Sequence, residues 1–335
     1  MKKQTKKILS LVTIPFLCAI LSFAETREAS FTGEDYDIHL VYNDSAFPGD
    51  AVFVRMKFSQ GSKKTKASKE TFNSTTASLS LYLNDKRLDK ADFYVLNDET
   101  NRNTLTLLSG IPLSSWWTED NGYKLKVSYN LYGSKLMEFE LPFNIENKEF
   151  ISETIPLNDS NTSIKTDTSP KRMFQIEKLN GILGTINPKA IYQVSAYTPP
   201  TTATRRTSFF ADRRVYAYSN GKSSTSLHYG TDYGIPTGST VTACAGGKVV
   251  LAEDRVSTGW SVVIEHLPGL YSLYYHMSEL KVKEGDTVKM GELIGLSGAT
   301  GLATGPHLHW EMRLNMSAVN PDYFTQDFTF DKYDF

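Results

Sequence analysis

Cysteine is almost missing from this chain: only Cys18 and Cys244 occur among 335 residues. Cys18 falls in an amino-terminal leader, so the exported chain would keep one thiol, which excludes an intramolecular disulfide. Excess charge is missing too. Lys and Arg total 36 against 37 Asp and Glu, with no basic surface to suggest a nucleic-acid partner. Long apolar runs are also lacking. The longest, Ile8 to Phe23, is about sixteen residues and contains Pro15, short of the roughly twenty needed to cross a bilayer. Stability must come from packed cores, helped by any bound metal.

What is present begins with that run. Lys2, Lys3, Lys6 and Lys7 precede it, and Ser22-Phe23-Ala24 ends it as a small-x-small cleavage site, so residues 1–24 read as a secretory signal peptide. An uncleaved anchor is the alternative; a lipidated Cys18 is disfavoured because Pro15-Phe16-Leu17 lacks small residues. Cleavage would remove four lysines and no acids, leaving a mildly acidic protein. The membrane would then be met only through the signal peptide.

The length predicts about two domains. From 25 to 148 short alternating runs recur: Ile38–Tyr42, Ala51–Phe58, Ala77–Leu83, Phe93–Leu96, Thr104–Leu108, Leu125–Tyr132 and Leu136–Ile145. Turn residues such as Pro48-Gly49-Asp50 and Asn121-Gly122 separate them, which predicts an antiparallel β-sandwich. Lys63, Lys64, Lys66 and Lys69 read as a solvated loop between two strands. Residues 149–200 are a polar connector. Within it Ser169-Pro170 is an N-cap followed by proline at the first helical position. Phe174, Leu179, Ile182, Leu183 and Ile186 supply the apolar face of a helix ending near Asn187-Pro188. Residues 201–324 again read as short strands, Thr240–Ala243, Lys248–Ala252, Ser261–His266, Tyr271–Tyr275, Leu293–Leu296 and His307–Arg313, and 325–335 as a tail. The fold class is all-β with a short helical connector.

Chemistry concentrates in the last region. His307 and His309 are two apart, so on a strand they face the same side. His228 and Asp232 are four apart, about 13 Å if extended, too far to grip one ion. Tyr229, Gly230, Thr231, Tyr233, Gly234 and Pro236 make poor helix, so a loop turning at Gly230 is expected. Two histidines and a carboxylate suit a catalytic metal with an open position: zinc in hydrolases, iron in facial-triad oxygenases.

The landmarks Ser208-Phe209-Phe210-Ala211-Asp212-Arg213-Arg214, His228-x-x-x-Asp232, Tyr274-Tyr275-His276, Gly285-Asp286-x-Val288, Gly298 to His309 and Val319-Asn320-Pro321 keep a fixed order. In that order the segment from Thr207 to Phe324 resembles the lysostaphin and LytM-type zinc metallopeptidases of bacterial peptidoglycan. The resemblance implies a β-sheet peptidase domain in which His228, Asp232 and His309 hold one Zn²⁺ and His276 and His307 are catalytic. It implies hydrolysis of peptidoglycan stem peptides or cross-links, with a place in the periplasm, the cell envelope or the medium. Some relatives have lost ligands and only activate other hydrolases, so a catalytically silent wall-binding protein or activator is the competing function; all five positions are filled here. Departures are Ala211 for a usual glycine, Trp310 for phenylalanine, and the varied loop Leu314-Asn315-Met316-Ser317.

The remaining singled-out residues have structural expectations. His39 and His266 read as satisfied structural histidines, the latter through the Pro268-Gly269 turn, and Cys244 as a small buried hydrophobe. Trp116-Trp117 should pack on the core or connector rather than on sugars. Arg213 and Arg214 either meet an acidic peptide or brace the loop before His228. Of Tyr274 and Tyr275, one should face the core and the other the cleft.

Overall fold

The computed structural model describes residues 26–32, 36–60, 75–96, 104–131, 136–326 and 328. The leader, the lysine-rich loop and most of the carboxy-terminal tail lie outside these residues.

Two antiparallel sheets make the amino-terminal sandwich. One runs in the order Thr26–Thr32, Tyr36–Asn43, Ala51–Gln60, Thr104–Pro112, Tyr94–Val95; the other runs Met137–Pro142, Tyr123–Asn130, Thr76–Leu83, Lys86–Asp92. Alternation in the sequence is what pairs them, since Leu79, Leu81, Leu125 and Val127 of one sheet meet Leu40, Val54, Met56 and Leu105 of the other in a single core. The outermost strands Thr26–Thr32 and Lys86–Asp92 were not expected. Both are polar edge strands held by backbone pairing rather than burial, and such strands leave little hydrophobic signal.

Antiparallel strands also build the larger sheet of the carboxy-terminal half. Its order is Arg206–Ser208, Gly230–Tyr233, Leu308–Leu314, Leu270–Met277, Gly259–Leu267, Gly247–Arg255, Thr287–Val288. The turn expected at Gly230 is displaced: Gly230 opens a strand, and the chain bends just before it, at His228 and Tyr229. Gly230 is needed for another reason. A Cβ there would lie 2.3 Å from the Trp310 carbonyl oxygen, so a side chain would push apart the two strands that pair Asp232 with His309.

The connector holds more structure than the one expected helix. Ser152–Pro156 is a strand running parallel to Arg213–Ala217, α1 spans Asp159–Thr166, and α2 spans Pro170–Leu183. Ser169 caps α2 as expected, its Oγ accepting from the Arg172 amide at 3.3 Å. The helix stops at Gly184 rather than near Asn187. Its buried face also differs, with Phe174 at 66% and Ile186 at 59% exposure. Gln175 is buried instead, donating to the Asp254 carbonyl and accepting from the Val256 amide. Those bonds, and Leu183, Leu179 and Ile182 against Leu251, Val263 and Leu273, dock α2 on the larger sheet.

Sandwich and larger sheet share apolar surface. Phe53 points away from the sandwich core and packs against Phe328, Phe324 and Tyr323, with ring centroids 5.0, 6.2 and 6.3 Å away; α3, Pro321–Gln326, carries two of these rings. Asn320 Nδ2 donates to Asp50 Oδ1 at 2.8 Å and Asn315 Nδ2 to the Gly110 carbonyl. Trp117 packs on the sandwich core as expected. Trp116 does not: it is 65% exposed, with the Arg213 guanidinium 3.9 Å from its ring centroid.

Candidate metal centre

Register places the first two site residues. On adjacent strands Asp232 lies directly opposite His309, and Tyr275 lies opposite His309 on the other side. His228 enters from elsewhere, following the strand Ser223–Leu227 of a separate three-stranded sheet. The bend at His228 and Tyr229 carries its ring over the same face. His228 Nε2 then lies 3.0 Å from Asp232 Oδ1 and 2.9 Å from His309 Nδ1, and the last two atoms are 2.7 Å apart.

The partners of the outer atoms reveal what faces inward. His228 Nδ1 donates to the Phe209 carbonyl at 2.7 Å, and His309 Nε2 donates to Glu311 Oε1 at 3.0 Å. With those outer protons committed, a neutral ring at either position turns a lone pair toward Asp232 Oδ1, and the three converging atoms suit a cation between them. The spacing is slightly under the roughly 3.3 Å edge of a tetrahedral zinc shell with bonds of about 2.0–2.1 Å. A small outward shift of the donors fits the ion.

Each donor is braced from behind, as metal ligands usually are. Arg214 donates to Asp232 Oδ2 at 3.0 Å and to Glu153 of the connector strand, so it is a brace and not a free cation. Glu311 is fixed by Arg313, whose Nε donates to Oε2 at 2.8 Å. Burial raises the Asp232 carboxyl, but His228 and His309 outweigh it and hold the group well below the usual range. Burial likewise opposes the charge on His309, while Asp232 and Glu311 hold it up to about 9. The site is strongly prepared for positive charge. Glu311 was missed in the sequence although its spacing signalled it: His307, His309, Glu311 and Arg313 alternate along one strand face.

His276 and His307 complete the cleft. Their ring centroids are 4.7 Å apart, and His307 Nε2 is 3.8 Å from Asp232 Oδ1. His276 adopts a φ of +61°, a left-handed conformation costing a non-glycine residue about 1–3 kcal/mol and typical of functional positions. Its amide donates to the Thr258 carbonyl, and its Nδ1 donates to the Thr300 carbonyl at 2.7 Å. His307 Nδ1 donates to the Gly305 carbonyl at 2.8 Å. The glycine-rich stretch thus supplies the carbonyls that orient both rings. Tyr275 stacks parallel on His309 at 5.4 Å while Tyr274 is fully buried in the opposite core, dividing the pair as expected.

The two histidines read as structural stay outside this cleft. His39 meets Ser30 at a sheet edge. His266 is fully buried, held by the Gly246 carbonyl and Ser272 rather than by the following turn. Cys244 lies in the core, where burial pushes its thiol up to about 11.

The sequence model of Peptidase family M23 matches residues 226–321, the stretch that holds all five cleft residues. This domain belongs to peptidase family M23. Its His228, Asp232 and His309 form one zinc site of the family type. Among curated relatives, DD-carboxypeptidase/endopeptidase Mpg of Neisseria meningitidis is 44% identical over 95 residues, covering 28% of this chain and 22% of that protein. Peptidoglycan DD-endopeptidase ShyA of Vibrio cholerae is 42% identical over 93 residues, again 28% and 22%. The chain thus spans about a fifth of the length of the curated relatives it matches. A Pseudomonas aeruginosa structure described as a candidate M23 peptidase superposes over 84% of this chain and 94% of its own, with TM-score 0.52 and 20% identity. That likeness concerns the fold, and it extends well beyond the M23 domain.

Proposed function

We propose that this protein is an exported zinc endopeptidase that hydrolyses peptide bonds in the stem peptides or cross-links of bacterial peptidoglycan. The observation that carries the reading is the convergence of His228, Asp232 and His309 beside two further histidines in one cleft. The names of Mpg and ShyA support the substrate class. Bound zinc would supply Lewis acidity toward the scissile carbonyl and a water that ionises near neutral pH.

His276 and His307 each commit Nδ1–H to a backbone carbonyl, so each offers an unprotonated Nε2. In this reading His307, two residues from the ligand His309, takes the water's proton and passes it to the leaving amine. Burial and the neighbouring His307 and His309 push His276 down to about 3. A neutral ring that has already spent its N–H accepts rather than donates, which favours orienting the water over bonding an oxyanion. The leader at 1–24, the sandwich to 148, the connector to 200 and the peptidase beyond are part of the same reading, as is a place in the cell envelope.

Incubating the full zinc-loaded chain with purified peptidoglycan should release soluble fragments with new amino groups. His309→Ala should lose both the zinc and the release. Wild-type protein holding one zinc yet freeing no amines would instead establish the silent wall-binding or activating function.

A further inference from the structure

The connector closes one end of the metal cleft. Ile155, Leu157 and Lys165 line it together with the five site residues, whereas no described residue of the sandwich does. Helix α1 crosses between its walls: Asn161 Nδ2 donates to the Ala303 carbonyl of the glycine-rich loop at 3.2 Å, and Thr162 Oγ1 accepts from the Ser219 amide of the facing hairpin at 3.1 Å. The cleft holds about 320 Å³, room for a few residues of peptide.

At that closed end stands an ammonium without an anion. Lys165 Nζ lies 4.1 Å over the Tyr216 ring, and no hydrogen bond or ion pair joins it to a described residue. The ring and the end of α1, where lysine faces the negative pole of the helix dipole, explain its position. Neither fills its three N–H donors. Nearby cations add to the field. Arg172 spends its donors on Ser257 and a carbonyl, and Arg214 is already held by Glu153 and Asp232. Burial first, then Arg172 and Arg214, hold the Lys165 ammonium below its usual pKa. An arriving anion would relieve that repulsion.

We propose that Lys165 binds a carboxylate of the substrate peptide, either its chain end or an acidic side chain, and so fixes how far the peptide enters the closed end of the cleft. The proposal rests on the peptidase reading, since a peptide's own anions are carboxylates. It makes α1 a part of the specificity apparatus and not merely a linker.

The test uses full-length zinc-loaded protein, wild type and Lys165→Met, with three synthetic stem peptides sharing one scissile bond. One has all carboxylates free, one has an amidated chain end, and one has amidated side chains. Losing one charge-assisted contact in a partly desolvated site corresponds to about 10- to 100-fold in KM. Lys165→Met should lose that factor on the free peptide while kcat, zinc content and Tm stay put, and Lys165→Arg should recover most of it. Wild type should lose the same factor on one amidated peptide only, which identifies the source, and Lys165→Met should lose nothing further there. Equal losses on all three peptides, or none, would overturn the proposal. If wild type cleaves none of them the peptidase reading fails on its own; calorimetric binding of the same uncut peptides to both proteins then decides the Lys165 site.

Discussion

The strand Tyr123–Asn130 of the sandwich and the strand Leu270–Met277 of the M23 sheet are both eight residues long, yet they are buried differently. In the first, buried and half-buried residues take turns; in the second every residue is buried. A sandwich sheet needs cover on one face only, and the other can meet water. The M23 sheet has a core on one face, around Trp310, Tyr274 and Leu308, and on the other it has α2 at one end and the metal cleft at the other. Covering the second face is what removes His309, Asp232 and Glu311 from water. Desolvation then makes each charge dependent on its partner, which is how a cleft lined by four histidines and two carboxylates becomes a metal site.

Phe53 is where the comparison can be broken hardest. By alternation it shares the outward strand face with Arg55 and Lys57, opposite the core residues Val52, Val54 and Met56, yet it is buried because it packs with α3 and Phe328 in the M23 core. Phe53→Ala should cost about 3–5 kcal/mol, and calorimetry should show the M23 domain melting earlier. An M23 transition left where it was would mean that the two regions are stable independently.

His266 sharpens the contrast between dry and wet faces. Burial pushes it down to about 4 from an ordinary value of about 6.5, because the neutral ring is what the core accepts. The unfolded chain therefore binds a proton that the folded chain refuses, so stability falls as pH drops from about 6.5 through about 4. At about 1.4 kcal/mol per pH unit the total is about 3.5 kcal/mol. Denaturation at a series of pH values should show this slope flatten in His266→Gln, whose amide can still bond Gly246. A slope that stays unchanged in His266→Gln would remove the burial of this ring as the cause.

A smaller effect is expected one step behind the metal. Glu311→Gln keeps the shape but weakens the grip on His309, and the zinc dissociation constant should rise about 10- to 100-fold. Competition with a chromogenic chelator measures it directly. An unchanged constant would show that Glu311 only packs.

Much of this was legible in the chain. Alternating residues gave most strands, Ser169-Pro170 gave the start of α2, and the order of short motifs named all five cleft residues. Local signals failed where the deciding partner was remote. Phe174 matches helical spacing as well as Leu179 does, but only Leu179 has a sheet beneath it. The two readings of Arg214 were equal until Asp232 and Glu153 were seen on either side of it. Residues 149–200 read as a connector with one helix, yet Ile155, Leu157 and Lys165 of that connector line the cleft.

By itself the sequence determined which segments are extended, where one helix begins and which side chains are able to hold a metal, because backbone preference, capping and ligand chemistry are properties of residues and their near neighbours. Only the tertiary structure decided that the second face of the sheet is dry, that Glu311 and Arg214 brace the donors, and that α1 closes one end with Lys165 facing in. Those facts depend on burial and on contacts between segments as far apart as Asn161 and Ala303, and burial is a property of the whole packed molecule rather than of any stretch of chain.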